Sequence, residues 1–239
     1  MSDFDIPATM DGRQLAKESV LDGEGLKALI EAGMVWLKTN QQTVNALNVF
    51  PVPDGDTGTN MVLTIQAAYN EILKFGEKNI GKMAHQIAQG ALMGARGNSG
   101  VILSQLFRGF ARSLDNLETM DSPLLIKALA EAKNTAYKGV VRPVEGTILT
   151  VAKDVSLAAE KTLAETDDMN IILERMVAAA DESVKHTPDL LPILKQAGVV
   201  DAGGKGLFYI LEGMLRYLKG QSLETAVTTV QPLSAINVV

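Results

Sequence analysis

Two aspartates, Asp54 and Asp56, flank a single glycine in the stretch Asn48-Val49-Phe50-Pro51-Val52-Pro53-Asp54-Gly55-Asp56-Thr57-Gly58-Thr59-Asn60. Their neighbours Asn48, Thr57, Thr59 and Asn60 add amide and hydroxyl oxygens. These are hard donors. Mg2+ is a hard cation, commonly held by one or two carboxylates, with ligand phosphates and water completing its shell. A plainer reading assigns both aspartates to a turn and to capping of the next helix. An EF-hand is excluded by spacing: with Asp54 as position one, the sixth residue is Thr59 rather than Gly and the twelfth is Ile65 rather than Glu.

Three further glycine-bearing breaks follow: Gly94-Ala95-Arg96-Gly97-Asn98-Ser99-Gly100, Val141-Arg142-Pro143-Val144-Glu145-Gly146-Thr147, and Gly198-Val199-Val200-Asp201-Ala202-Gly203-Gly204-Lys205-Gly206. Each precedes or opens a helical pattern. Helix N-termini carry unpaired N–H groups and the positive end of the dipole, so they attract phosphate. A polyphosphate beside two carboxylates would be repelled by roughly 1 kcal/mol per charge pair at ~4 Å in water, and by more at lower dielectric. A bridging divalent cation reverses that sign. Gly203-Gly204-Lys205-Gly206 is not a Walker A loop, because the spacing and the following Ser/Thr are missing. The dinucleotide fingerprint is also excluded, since no strand precedes the 94–100 break. His85 and His186 stand alone, with no Ser-His-acid set in view.

The elements that must position these residues are helices. Ala, Leu, Lys, Glu and Met are common and aromatics make up 5% of the chain, a helix-leaning composition. Apolar spacing predicts a short helix near Asp11, then helices over 25–47, 61–75, 80–93, 101–114, 122–139, one following Thr147 to about Leu163, 168–186, a short one to Ala197, and 205–219. A further break is expected at His186-Thr187-Pro188. Roughly eight helices with short connections predict antiparallel neighbours around one core. Residues 1–220 are read as one domain. Residues 221–239 are read as a linker or the start of a following domain.

Composition narrows the function classes. With 46% apolar and 21% charged residues among 239, the chain has ordinary globular proportions. A net charge of −6 without a basic stripe argues against nucleic-acid binding. Apolar runs are too short for a membrane span. The polar, acidic start is not a secretory signal, and cysteine is absent, so disulfides and thiolate metal sites are excluded. A cytoplasmic location is the expectation, and a homodimer stays open.

The run Asn45-Ala46-Leu47-Asn48 through Asn60-Met61 resembles the signature of the catalytic subunit of bacterial fatty acid kinases. The other three breaks resemble the same family, in the same order, over about residues 10–220. That family is similar to the ATP-binding subunit of dihydroxyacetone kinases. The resemblance implies an all-α fold: a closed barrel of eight antiparallel amphipathic helices with the nucleotide at one end. It implies ATP or ADP with two Mg2+ ions held by Asp54 and Asp56. Dihydroxyacetone kinases carry a third Asp just upstream; here Asn48 is the nearest oxygen donor. By the same likeness Thr57 takes the place of a histidine and contacts phosphate, Asn60 follows a Gly-x-Asn-Met pattern, and Ser99 and Gly100 form a phosphate-binding turn. Thr59, Gly97 and Asn98 lie within these motifs and are assigned to the nucleotide with them. Thr147 falls near the adenine, Asp201 and Gly203 in a loop over the nucleoside. Arg96, with Asp54 and Asp56, is the candidate for transition-state charge. The acceptor would be a fatty acid held by a separate fatty-acid-binding carrier protein, giving an acyl phosphate. Family enzymes are longer, so this chain is expected to be one domain of such an enzyme. The alternatives are the ATP-binding subunit of a dihydroxyacetone or related polyol kinase, and a non-catalytic helical module that retains nucleotide.

Overall fold

The computed structural model describes residues 11–223, and the description below is confined to them; most of the 221–239 segment lies outside this range. Among the described residues the chain is all-helical. A single turn, α1 (Gly12–Leu15), precedes α2 (Gly23–Thr39) and α3 (Gln41–Ala46). Then come α4 (Thr57–Ile72), α5 (Ile80–Met93), α6 (Gly97–Ser113), α7 (Ser122–Gly139), α8 (Ile148–Leu163) and α9 (Met169–Leu190). The six-residue α10 (Pro192–Ala197) leads into α11 (Ala202–Leu218).

Eight of these helices have 14 residues or more: α2, α4, α5, α6, α7, α8, α9 and α11. Each packs on the next of the eight along the chain, and α11 returns to pack on α2, so the circuit closes. Small residues permit close approach at that closing seam. A Cβ at Gly213 would collide with Ala32 and Trp36 of α2, and one at Gly33 with Ile210 of α11. The Trp36 indole N–H donates to Glu212 at 2.6 Å across the same seam, and the Arg216 guanidinium stacks 4.2 Å from the indole centroid.

Apolar faces at helical spacing point inward and form one core. Leu37, Met61, Ile65, Ile72, Leu103, Leu149 and Ile172 are fully buried. Each such side chain contributes about 1.5–3 kcal/mol by leaving water. The circuit encloses an apolar cavity of about 190 Å3, lined by residues such as Leu26, Ile87, Leu106, Phe110 and Leu211.

The helices expected over 61–75 and 205–219 begin earlier, at Thr57 and Ala202, and three other boundaries differ from the sequence expectation for a local reason. The helix expected over 25–47 is broken at Asn40, whose side-chain amide bonds the Trp36 carbonyl at 2.8 Å and competes with the helical ladder. The helix expected from Val101 begins at Gly97, because Gly97 to Gly100 form its first turn. The expected break at His186-Thr187-Pro188 is absent, and α9 runs through to Leu190. Pro188 has no N–H for the Val184 carbonyl, but the Thr187 hydroxyl donates to that carbonyl at 2.7 Å.

Alternation around the circuit sends every second connection to the same end. The links from α3 to α4, α5 to α6, α7 to α8 and α9 to α11 therefore share one rim. All four glycine-bearing breaks lie on these links. The opposite end is tied by backbone bonds such as Gly23 N to Lys78 O at 2.7 Å and Ile80 N to Glu118 O at 3.0 Å.

Candidate functional site

At the glycine-bearing rim the structure opens a pocket of about 530 Å3. Asn48, Asp54, Asp56, Thr57 and Asn60 line it from the α3–α4 side. Gly97, Asn98 and Ser99 contribute the first turn of α6, and Thr147, Asp201 and Gly203 the starts of α8 and α11. Residues far apart in sequence thus meet in one concavity.

The two aspartates are presented differently. Gly55 between them has φ +70°, a left-handed turn that a side chain would resist. Asp54 Oδ1 accepts from the Asn48 side-chain amide at 3.3 Å. Asn48 is almost fully buried; its amide also donates to Val52 O at 2.6 Å, and its carbonyl accepts from the Thr57 hydroxyl. Asp56 occupies the N-cap position of α4, yet its side chain makes no capping bond. The turn-and-cap reading therefore leaves the Asp56 carboxylate unexplained.

The same absence occurs at α6, where Arg96 is the N-cap residue and no side chain caps the helix. The other six long helices are all capped by their own side chains, Asp22, Asn79, Asp121, Thr147, Asp168 and Asp201. So the two long helices without a cap from their own N-cap side chain are the two whose first turns line the polar end of the pocket, although Thr59 N of α4 donates to Asn45 Oδ1 of α3 at 3.0 Å. The remaining first-turn amides and the dipoles' positive ends make this the anion-attracting wall.

Three residues expected in the site stand outside its lining. Thr59 turns to α3, accepting from Gln41 at 2.9 Å and Asn45 at 3.1 Å. Gly100 serves packing: a Cβ there would strike the Thr64 hydroxyl of α4. Arg96 is exposed, and its backbone N–H reaches Thr64 Oγ1 at 3.3 Å. The cation that does line the pocket is Arg142 of the α7–α8 link, and it makes no ion pair among the described residues. Its loop is fixed by Glu145, which accepts from Tyr137 at 3.0 Å, Thr150 at 2.6 Å and Lys153 at 2.7 Å.

The apolar wall was also missed by reading motifs alone. Phe50, Val52, Val101, Ile102, Val140, Val141, Val144, Ile148 and Leu149 complete the lining. Two of them sit inside the Asp-Gly-Asp motif's own Pro-rich lead, which was the available signal. The pocket is thus polar and acidic at the starts of α4 and α6, and apolar towards α7 and α8.

The donor set suits Mg2+. Two carboxylates and the neutral oxygens of Asn48 and Thr57 share the polar end. No group of three or more His, Cys, Asp or Glu could hold a metal among the described residues. A cation here would therefore take part of its shell from a bound ligand, as Mg2+ commonly does.

A closed helical circuit with a mixed acidic and apolar pocket at one rim defines a class of helical ligand-binding domain. Residues 51–216 match the DAK2 domain, and the chain belongs to that family. It is 47% identical over 212 residues to uncharacterized proteins of Staphylococcus aureus strains USA300 and N315, covering 89% of this chain. It spans 39% of the length of those relatives. The fold is similar to the dihydroxyacetone kinase of C. freundii in its native form, with TM-score 0.58 and 19% identity over 80% of this chain and 34% of that one. The C. freundii kinase in complex with AMP-PNP and Mg2+ gives TM-score 0.59 and 18% identity, over 80% of this chain and 33% of that chain.

Proposed function

We propose that this chain is the ATP-binding domain of a Mg2+-dependent kinase whose acceptor is a fatty acid carboxylate presented by a separate carrier protein. The observation that carries the nucleotide reading is that Asp54 and Asp56, leading into α4, share one pocket with the first turn of α6, and that neither helix is capped by its own N-cap side chain. The likeness in fold to a kinase whose complex holds AMP-PNP and Mg2+ supports it. The acceptor assignment is supported by the Pro-Val-Pro-Asp-Gly-Asp-Thr-Gly form of residues 51–58.

In this reading Asp54 and Asp56 hold Mg2+, with Asn48 and Thr57 as neighbouring oxygen donors. The bound metal supplies charge neutralisation to the polyphosphate and to the transferred group. The first turns of α4 and α6 direct their amide hydrogens at the phosphates, and the hydroxyls of Thr57 and Ser99 and the amide of Asn98 fix their orientation. Val140, Val144 and Leu149 exclude water from the base. Phosphoryl transfer depends mainly on alignment and charge stabilisation, so the domain requires no covalent nucleophile.

The test is a transfer assay with labelled ATP, comparing a fatty acid on a bacterial fatty-acid-binding protein with dihydroxyacetone on its binding subunit. The longer relatives supply the remaining domains in trans. Label in acyl phosphate is expected. Label in dihydroxyacetone phosphate instead would replace the acceptor, and nucleotide binding without transfer to either would favour a non-catalytic module.

A further inference from the structure

Thr59 belongs to the Asp-Gly-Asp motif yet turns away from the pocket, and the contacts that hold it bear on Asp56. Asp56 is the N-cap residue of α4, and Thr59 is the third residue of that helix. An N-cap side chain ordinarily accepts from the amide of the second or third helical residue. At α4 the third amide is already taken, because Thr59 N donates to Asn45 Oδ1 of α3 at 3.0 Å. The Asn45 side-chain amide donates in turn to Thr59 Oγ1 at 3.1 Å, and Gln41 donates to the same oxygen at 2.9 Å. Gly58 permits this close approach: a Cβ there would lie 2.5 Å from Gln41 O and 2.9 Å from Asn45 Oδ1. The cap of α4 therefore comes from a neighbouring helix.

The backbone of Asp56 fits that arrangement. Residues that cap their own helices are extended here, as at Asp22 with ψ −177° and Asp201 with ψ 124°. Extended backbone is what brings an N-cap side chain over the first turn. Asp56 has φ −118° and ψ 0°, and its side chain makes no capping bond. It lines the pocket beside Asp54 instead.

We infer that Asn45 is a positioning residue: by capping α4 from α3 it occupies the amide that Asp56 would otherwise take, and so keeps the Asp56 carboxylate free for the divalent cation. This rests on the nucleotide reading above, in which Asp56 is a metal ligand. Asn45 does not itself line the pocket, so it acts through α4 and Asp56. For Asp56 to cap α4, its ψ must turn to the extended range. That rotation moves the Gly55 turn, and Asp54 with it, relative to the helix. Removing the Asn45 acceptor favours the rotation, because it recovers a bond to an otherwise unpaired amide.

The experiment has two parts on the full chain. Hydrogen exchange at the Thr59 amide, read by NMR without metal or nucleotide, tests the cap. The amide should be protected in the wild type. It should stay protected in Asn45→Ala, where Asp56 takes it over, and exchange freely when Asp56→Ala is added. Equally fast exchange in the single and double variants would overturn the swap. The second part is a Mg2+ titration of ATP binding followed by calorimetry. Asn45→Ala should need roughly tenfold more Mg2+ for half-maximal binding, the scale on which residues behind a metal ligand act. Asn45→Asp keeps an acceptor for Thr59 N, and Gln41→Ala keeps Asn45, so both should track the wild type. A loss of thermal stability in Asn45→Ala with an unchanged Mg2+ requirement would make Asn45 an ordinary structural cap and overturn its positioning role. Wild-type ATP binding that needs no Mg2+ would overturn the nucleotide reading and that role together, while the exchange measurement still decides the cap.

Discussion

The side-chain amide of Asn48 lies 3.3 Å from Asp54 Oδ1, while the Asn48 carbonyl accepts from Thr57. One buried residue thus couples a proposed metal ligand to the first helical residue of α4. Asn48→Ala should leave Val52 O and the Thr57 hydroxyl without this partner, the latter on a buried residue. The expected cost is about 1–3 kcal/mol of stability. Urea unfolding measures it, and Mg2+-dependent nucleotide binding should weaken in the same variant.

Arg142 and Arg96 separate by position. Arg142 lines the pocket and Arg96 does not. Arg142→Ala should lower nucleotide affinity or transfer by roughly tenfold, the scale of one charge-assisted contact. Arg96→Ala should stay within about twofold, because Arg96 stands outside the pocket's lining and a surface change away from a site usually has little effect. Parallel kinetics of the two variants would show the contrast, and equal losses would argue for a diffuse field effect.

Gly100 tests the seat of α6 on α4. Gly100→Val places methyl groups against the Thr64 hydroxyl and should cost about 1–3 kcal/mol through overpacking. It should also weaken nucleotide binding, by moving the α6 start away from the Asp54–Asp56 turn. A Thr64→Ala second change should recover part of the stability, which thermal melting can follow.

Asp201 carries a pH-linked stability effect of defined sign. Its folded-state value is raised from 3.8 to about 6 by burial. The contribution is therefore fully present below the unfolded value and lost as pH rises through about 6. Relative to Asp201→Asn, wild-type stability should fall by about 3 kcal/mol between pH ~4 and pH ~7. Chemical denaturation across that range measures the difference.

The sequence made some of this legible and hid the rest. Ile80–Met93 and Ser122–Gly139 could be read because their apolar periodicity starts at the Asn79 and Asp121 caps and ends at glycine, Gly94 and Gly139. Asn40 and Pro188 misled because their effect depends on a neighbour: the Trp36 carbonyl in one case, the Thr187 hydroxyl in the other. The Asp-Gly-Asp turn and the Gly97-Asn98-Ser99 turn could be paired in advance, since helix alternation sends every second link to one rim. Thr59 and Gly100 lie in the same motifs but face α3 and α4, which only the helical phase decides. Arg142 was hidden because its loop carries no acidic cluster to mark it. The apolar wall from Val140 to Leu149 was hidden because such residues read as core in sequence.

The most direct measurement is a calorimetric titration of ATP into the wild type, Asp54→Ala and Asp56→Ala, each with Mg2+ and with the metal chelated. Binding by the wild type should require Mg2+, and each variant should lose roughly tenfold or more in affinity. Binding of equal strength without metal, or unchanged in both variants, would contradict the proposed metal site.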